Sequence, residues 1–221
     1  MRKMTKLTLF FVCISFGLFG SSQSTSLHCS FSYGGFGTLY PIYVCHLMSI
    51  VNMTSPDAAQ VDGISGLHHA GFNNDDVGVF HNFGRATMHY FPSGLDKMFK
   101  NLRAIQIMNS GLKKVHVSDL KPFHNLVDLC LFSNELEVLE ENLFEFNPNL
   151  EYINLNANKI TYIDPNVFDK LTKLRILSLA INPCIDMYSN SPTGVQNIIK
   201  TAKLQCTNSD YLNYKQKVNI F

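Results

Sequence analysis

The side chains able to do chemistry here are six cysteines and eight histidines, and their spacing argues against most of the reactions such residues perform. His68 and His69 stand a few residues before Asp75 and Asp76 in "GLHHAGFNNDD", with His81 and His89 further on. Zinc sites use tighter, paired ligand spacings, and adjacent histidines on an extended chain point opposite ways. No metal is therefore expected, and the segment is read as a polar loop. The chain has no nucleophile elbow, phosphate loop, zinc-protease helix or clustered cysteine and histidine pair. Glu140 and Glu141 are adjacent acids better read as solvated than as a catalytic pair. These absences predict a protein that is not an enzyme and needs no cofactor.

The cysteines take their meaning from the N-terminus. Arg2, Lys3 and Lys6 form a basic segment, Leu7 to Phe19 an apolar core, and small residues follow. This is the layout of a secretory signal peptide over residues 1–22, with cleavage between Gly20 and Ser26. The apolar run is shorter than the roughly 20 residues that cross a bilayer. No later run is as long, and the final "NYKQKVNIF" is too polar for a spanning helix or lipid-anchor signal. The expectation is a secreted, extracellular chain without membrane insertion. Taking the leader's three basic residues from 18 leaves 15 against 17 acidic ones, a net charge of about −2. No basic stripe suggests nucleic acid. Removing Cys13 leaves Cys29, Cys45, Cys130, Cys184 and Cys206, an odd set for an oxidising compartment. The only glycosylation sequon is Asn52 to Thr54, so Asn52 is expected at the surface.

The elements that must position these residues are set by an internal repeat. "LRAIQIMNS" starts at Leu102, "LVDLCLFSN" at Leu126, "LEYINLNAN" at Leu150 and "LRILSLAIN" at Leu174, each start 24 residues after the last. The ninth positions are Ser110, Asn134, Asn158 and Asn182, and apolar residues recur at the eleventh and fourteenth. Phe144 and Phe168 share the nineteenth position, with Leu120 in the first unit. One weaker unit extends upstream: with His81 and Phe83 set where Ile105 and Ile107 stand, Met88, Phe91, Leu95 and Phe99 follow.

This pattern resembles the extracellular leucine-rich repeat family in its 24-residue form, over Leu102 to Asn182. The period-two core of each unit is a short strand, and one unit cannot bury its own apolar face. The units should therefore stack into an α/β solenoid with a short parallel sheet along its concave side. In the family the ninth-position Asn satisfies backbone groups where the chain leaves the strand; Ser110 departs from that. The resemblance also implies caps. "CSFSYGGFGTLYPIYVC" reads as a hairpin closed by Cys29 and Cys45. "NPC" at Asn182 to Cys184 leads to a helix carrying Val195, Ile198, Ile199 and Leu204, stapled by Cys184 and Cys206. The expected layout is an N-terminal cap over 23–77, repeats over 78–182, and a C-terminal cap and tail over 183–221.

Alternation then assigns the concave face. Position three gives Phe80, Ala104, Asp128, Tyr152 and Ile176; position five gives Asn82, Gln106, Cys130, Asn154 and Ser178; position seven gives Gly84, Met108, Phe132, Asn156 and Ala180. Exposed aromatic and apolar groups among amides are what protein-binding surfaces present. The alternative is that cap loops cover part of this face. Cys130 has Gln106 and Asn154 as column neighbours, so no sulfur of the same chain should reach it. A sheltered thiol acting as a small hydrophobe and a bridge to a second chain both stay open. The resemblance implies recognition of another protein through the concave face, in an immune or a receptor-ligand setting. The competing readings are a matrix or assembly component, a disulfide-linked dimer through Cys130, and, more weakly, an inhibitor of a secreted enzyme.

Overall fold

The computed structural model describes residues 25–36 and 39–207, so the segment expected to be a signal peptide and the last 14 residues lie outside the described residues. Along the chain run β1 (Thr25–Phe36), β2 (Leu39–Leu47), β3 (Asn52–Met53), β4 (Val61–Ser65), β5 (Val77–Phe83), β6 (Thr87–Met88) and the short helix α1 (Leu95–Met98). The repeats follow with β7 (Ala104–Met108), α2 (Val117–Leu120), β8 (Asp128–Cys130), β9 (Val138–Leu139), β10 (Tyr152–Asn154), β11 (Tyr162–Ile163) and β12 (Ile176–Ser178). β13 (Tyr188–Ser189) and α3 (Pro192–Gln205) close the chain.

The fold is an α/β leucine-rich repeat solenoid with disulfide-stapled ends. Its main sheet has the order β13, β12, β10, β8, β7, β5, β2, β1, β4 among the described residues. From β12 to β2 every pairing is parallel, as a coil that returns to the same side after each turn requires. Ala104, Asp128, Tyr152 and Ile176 are register partners, as are Gln106, Cys130, Asn154 and Ser178. The leucines and isoleucines between them point inward: Ile105, Leu129, Ile153 and Leu177 are fully buried.

What fixes the coil spacing is a ladder of buried asparagines. Asn158 donates through Nδ2 to the carbonyls of Leu131 and Leu155 at 2.9 Å, while its Oδ1 accepts from the Leu136 amide at 3.1 Å. Asn134 does the same for Ile107, Leu131 and Leu112, and Asn182 for Leu155, Leu179 and Ile160. Each amide thus satisfies backbone groups of its own coil and of the coil before it, groups that are costly to bury unpaired. Ser110, in place of the first asparagine, is held by a different set of partners. Its amide reaches Asn134 Oδ1, its hydroxyl donates to the Met108 carbonyl, and the hydroxyl accepts from Asn82 Nδ2 at 2.7 Å.

The residue before each rung takes a left-handed conformation: Asn109, Ser133, Ala157 and Ile181 all have φ between 50° and 55°. Convex connections add short parallel pairs, β9 with β11 and β3 with β6, and a fully buried Asn147 whose Nδ2 donates to the Leu120 and Phe123 carbonyls of the preceding coil. Phe144 stacks on Phe168 with centroids 5.9 Å apart, one coil against the next.

The upstream unit corrects the sequence reading. β5 pairs with β7 as Val79↔Ala104, Phe80↔Ile105, His81↔Gln106 and Phe83↔Met108, a spacing of 25 rather than 24. Extending the 24-residue ruler slides this strand by one position, and a one-residue slip exchanges the two faces. Phe80, expected on the concave face, is instead 0% exposed in the core, and Asn82 is buried with it. Val79, His81 and Phe83 take the outward positions. Met88, Phe91, Leu95 and Phe99 are buried as expected.

Both caps form as expected. β1 and β2 make an antiparallel hairpin with Cys29 bonded to Cys45 at a Cα separation of 5.3 Å. β2 also stands in the parallel ladder, pairing Val44 with Val79 and His46 with His81, so the hairpin supplies a solenoid strand. At the other end α3 starts at Ser191, whose Oγ accepts from the Gly194 amide, with Pro192 at its first position. It buries Val195, Ile198 and Ala202, and Cys184 bonds Cys206 at 5.2 Å between Cα atoms. Leu204, expected on the packed face, points to solvent.

Two stability outcomes follow. Asn158→Ala leaves carbonyls and an amide unpaired in the core and should cost about 3 kcal/mol in urea unfolding. A loss below about 1 kcal/mol would show the ladder is not what holds the coils. Ile181 is β-branched in a left-handed conformation that costs roughly 1–2 kcal/mol, so Ile181→Asn should gain about 1 kcal/mol, read from the same titration.

Candidate interaction surface

The concave face is built by the outward positions of the parallel strands, and register fixes its rows. The central row reads His46, His81, Gln106, Cys130, Asn154, Ser178 and finally Tyr188, the register partner of Ser178 on β13. Beside it run Val44, Val79, Ala104, Asp128, Tyr152 and Ile176. The third row follows the strand ends: Phe83 beside Met108, then Phe132, whose carbonyl accepts from the Asn109 amide, and Asn156, whose carbonyl accepts from the Ser133 amide.

Access along these rows is uneven. Leu39, Ile42, Val44, Val79 and Ala104 form a second apolar cluster, with Val127 packed on it, and close the upstream end of the second row. Gln106, Asp128, Cys130 and Ser178, all expected as contact residues, are buried. Met108, Phe132, Tyr152, Asn154, Asn156 and Ile176 are half-buried and keep a solvent face. Two further groups are more open than any of these and were not expected. Phe83 is 62% exposed, and Tyr188 is 59% exposed. Correct register across the 25-residue step would have found Phe83; β13 carries no repeat signal that could have placed Tyr188.

Cys130 is a free thiol, 4% exposed. Burial pushes its pKa up to about 11, and the nearby Asp128 charge adds to that against an opposing backbone hydrogen bond from Phe132. A protonated, covered thiol is a poor nucleophile and fills space as a small hydrophobe. It offers a second chain no accessible sulfur.

Asp128 is the one carboxylate in these rows. It is 2% exposed and accepts from Gln106 Nε2 at 3.2 Å. Burial raises its pKa to about 6, and the Gln106 bond only partly offsets this. Downstream, Asn154 Nδ2 donates to the Tyr152 hydroxyl at 3.1 Å and its Oδ1 accepts from the Asn156 backbone N–H at 3.0 Å, which orients the Asn154 side chain.

The remaining chemical candidates have structural jobs. His68 stacks on Phe31 at 3.9 Å, its Nδ1 lies 3.3 Å from the Tyr43 hydroxyl and its Nε2 3.0 Å from Asn74 Oδ1. The His69 amide donates to the same tyrosine. The loop thereby seals the hairpin face rather than gathering ligands. Asn52 lies on β3 and is exposed.

Residues 124–183 match the leucine rich repeat family profile, over the coils whose ladder and register are described above. Over those residues the chain carries leucine-rich repeats. It is similar to the volume-regulated anion channel subunit LRRC8B of Mus musculus, with 26% identity over 140 residues, covering 63% of this chain and 17% of that protein's length. Among solved structures it is similar to one in the Drosophila Toll–Spatzle complex, at 18% identity and a TM-score of 0.45, covering 58% of this chain and 18% of the other. A structure of the LRIM1/APL1C complex gives 17% identity and a TM-score of 0.46, covering 72% of this chain and 32% of the other. No helix among the described residues is long and apolar enough to cross a membrane.

The buried carboxylate generates a pH outcome. An unfolded aspartate releases its proton near pH 4, whereas folded Asp128 keeps it to about pH 6. Between those values the folded state binds more protons, so this group's contribution to stability falls as pH rises from about 4 to about 6. Asp128→Asn preserves the acceptor for Gln106 and removes the charge. The variant should exceed the parent by up to about 3 kcal/mol at pH 7.4, two pKa units at 1.36 kcal/mol each, and the gap should shrink at pH 4.5. Thermal unfolding at both pH values measures it, and a pH-independent gap would refute the assignment.

Proposed function

We propose that this is a secreted protein-binding module that recognises another protein through the open part of its concave face and the adjoining strand-end rim. One observation carries the reading. Phe83 and Met108 are register partners on β5 and β7, Phe132 follows just past the end of β8, and all three keep solvent access. Aromatic and methionine side chains lined up in this way are what protein interfaces concentrate at their centres. Tyr152, Ile176 and Tyr188 continue the apolar character downstream, interleaved with the amides of Asn154 and Asn156. The near absence of charge favours a partner held by shape and apolar burial over one captured by long-range attraction.

Secretion agrees with the two disulfides, which persist in oxidising compartments, and a glycan on exposed Asn52 would lie on the convex strand pair, away from the proposed contact rows. The assembly alternative rests on a bridge through Cys130, and the burial of that thiol weighs against it.

The test is a pair of variants. Phe83→Asp and Phe132→Asp, each at a residue with solvent access, should leave secretion and thermal stability near the parent's. Either should weaken capture of the partner from extracellular fluid at least tenfold, about 1.4 kcal/mol. Full capture by both variants would rule out this rim as the contact surface.

A further inference from the structure

We propose that His46 and His81 form an acid-sensitive clasp that fastens the disulfide-closed hairpin to the first repeat strand and opens when both imidazoles are protonated. The inference stands apart from the partner-binding reading, since it concerns how the cap is held. His46 on β2 and His81 on β5 are register partners in the parallel ladder, so their side chains leave the same face of adjacent strands. Their Nδ1 atoms are 2.9 Å apart, with ring centroids at 5.1 Å and planes crossed at 84°. Two ring nitrogens this close make a hydrogen bond only when one carries a proton and the other offers a lone pair. A first added proton is tolerated, because an imidazolium can donate to a neutral imidazole. A second puts two donors and two cations face to face, and the attraction becomes repulsion.

The surroundings make simple escape costly. Ser32 Oγ on β1 holds the far nitrogen of His46 at 2.8 Å, so turning that ring away from His81 sacrifices this bond. β5 brings no titratable group besides His81, β7 presents the neutral Gln106 as the register partner of His81, and the chain after β5 brings Arg85. The pair opens onto a cleft of about 420 Å³ that Arg85 lines together with Leu47, Met48 and Phe83. Burial lowers the pKa of both histidines, and the charge of His46 lowers that of His81 further. A folded-state pKa below the ordinary value makes the contribution complete above about pH 6.5 and lost as pH falls through the lowered values. Phe83 and Met48 share the cleft with the pair, so release of the clasp reshapes the upstream end of the apolar rim.

Amide hydrogen exchange on the intact, disulfide-bonded protein at pH 7.4 and 5.0, corrected for intrinsic exchange, reads this directly. In the parent, protection over β2 and β5 should fall more than twofold between pH 7.4 and pH 5.0, as a lowered imidazole pKa requires, while β10 and β12 hold. His81→Gln keeps a hydrogen-bonding partner for His46 and removes the second cation, so its β2 and β5 protection should stay within about twofold between the two pH values. Equal loss in parent and variant, or no loss in the parent, overturns the clasp. Should His81→Gln fail to fold, the parent's imidazole NMR titration decides alone. Two coupled steps below pH 6.5 support the proposal, and two independent titrations at the ordinary value refute it.

Discussion

The constraint on which the rest depends is the satisfaction of backbone groups where each strand ends. A chain that turns sharply out of a strand and dives back over an apolar core exposes carbonyls and amides to a place water does not reach. The asparagine rungs answer this with one side chain per coil, joining the coil's own carbonyls to those of its predecessor. Because each rung spans two coils, it also sets their separation and forbids slippage. The parallel register, the outward rows and the reach of one coil's salt bridges to the next, such as Arg175 to Glu151, inherit that spacing.

A ladder of this kind has two loose ends. Upstream, the rung at Ser110 is too short to reach back, and Asn82 supplies the missing amide from the preceding strand at 2.7 Å. That solution buries a polar side chain at an inward position, which is why β5 carries an asparagine where β7 carries Ile107. Downstream, Asn182 is the last rung, and the chain then needs a different cover. α3 supplies it, with the Cys206 carbonyl accepting from the Ile163 amide and the disulfide tying the helix end back to the chain just after that rung.

Much of this was legible in the residues. The 24-residue period placed strands, inward leucines and the ninth-position asparagines by local alternation plus stacking, while the asparagines' role and the two cap disulfides came from the resemblance to leucine-rich repeats and the cysteines' places in the caps. The limits of legibility were equally physical. The step from Val79 to Ala104 is one residue longer than the others, and a period inferred from four regular coils cannot see an insertion in a fifth. Phe80 and Phe83 exchanged faces for that reason alone. Alternation also reports direction and not access: Asp128 and Cys130 do face outward, yet they are covered. The pairing of His46 with His81 depended on a hairpin strand joining the ladder, a tertiary event that the 24-residue pattern does not encode.

The outcome is a face whose two unusual electrostatic features pull in opposite directions within a narrow pH range. Asp128 sits where water and cations hardly reach, so its ionised form strains the folded state as pH rises toward neutrality. The histidine pair sits where a second proton finds another cation, so the folded state is strained as pH falls. Near neutral pH the clasp is intact and the aspartate is charged; in mild acid the aspartate is relieved and the clasp is loaded. The two groups occupy different rows and lie two strands apart, with Gln106 standing between them and bonded to Asp128. Acid therefore does not simply weaken this solenoid. It moves strain from the middle of the sheet to the junction with the hairpin, where β2 meets β5 and the exposed rim begins.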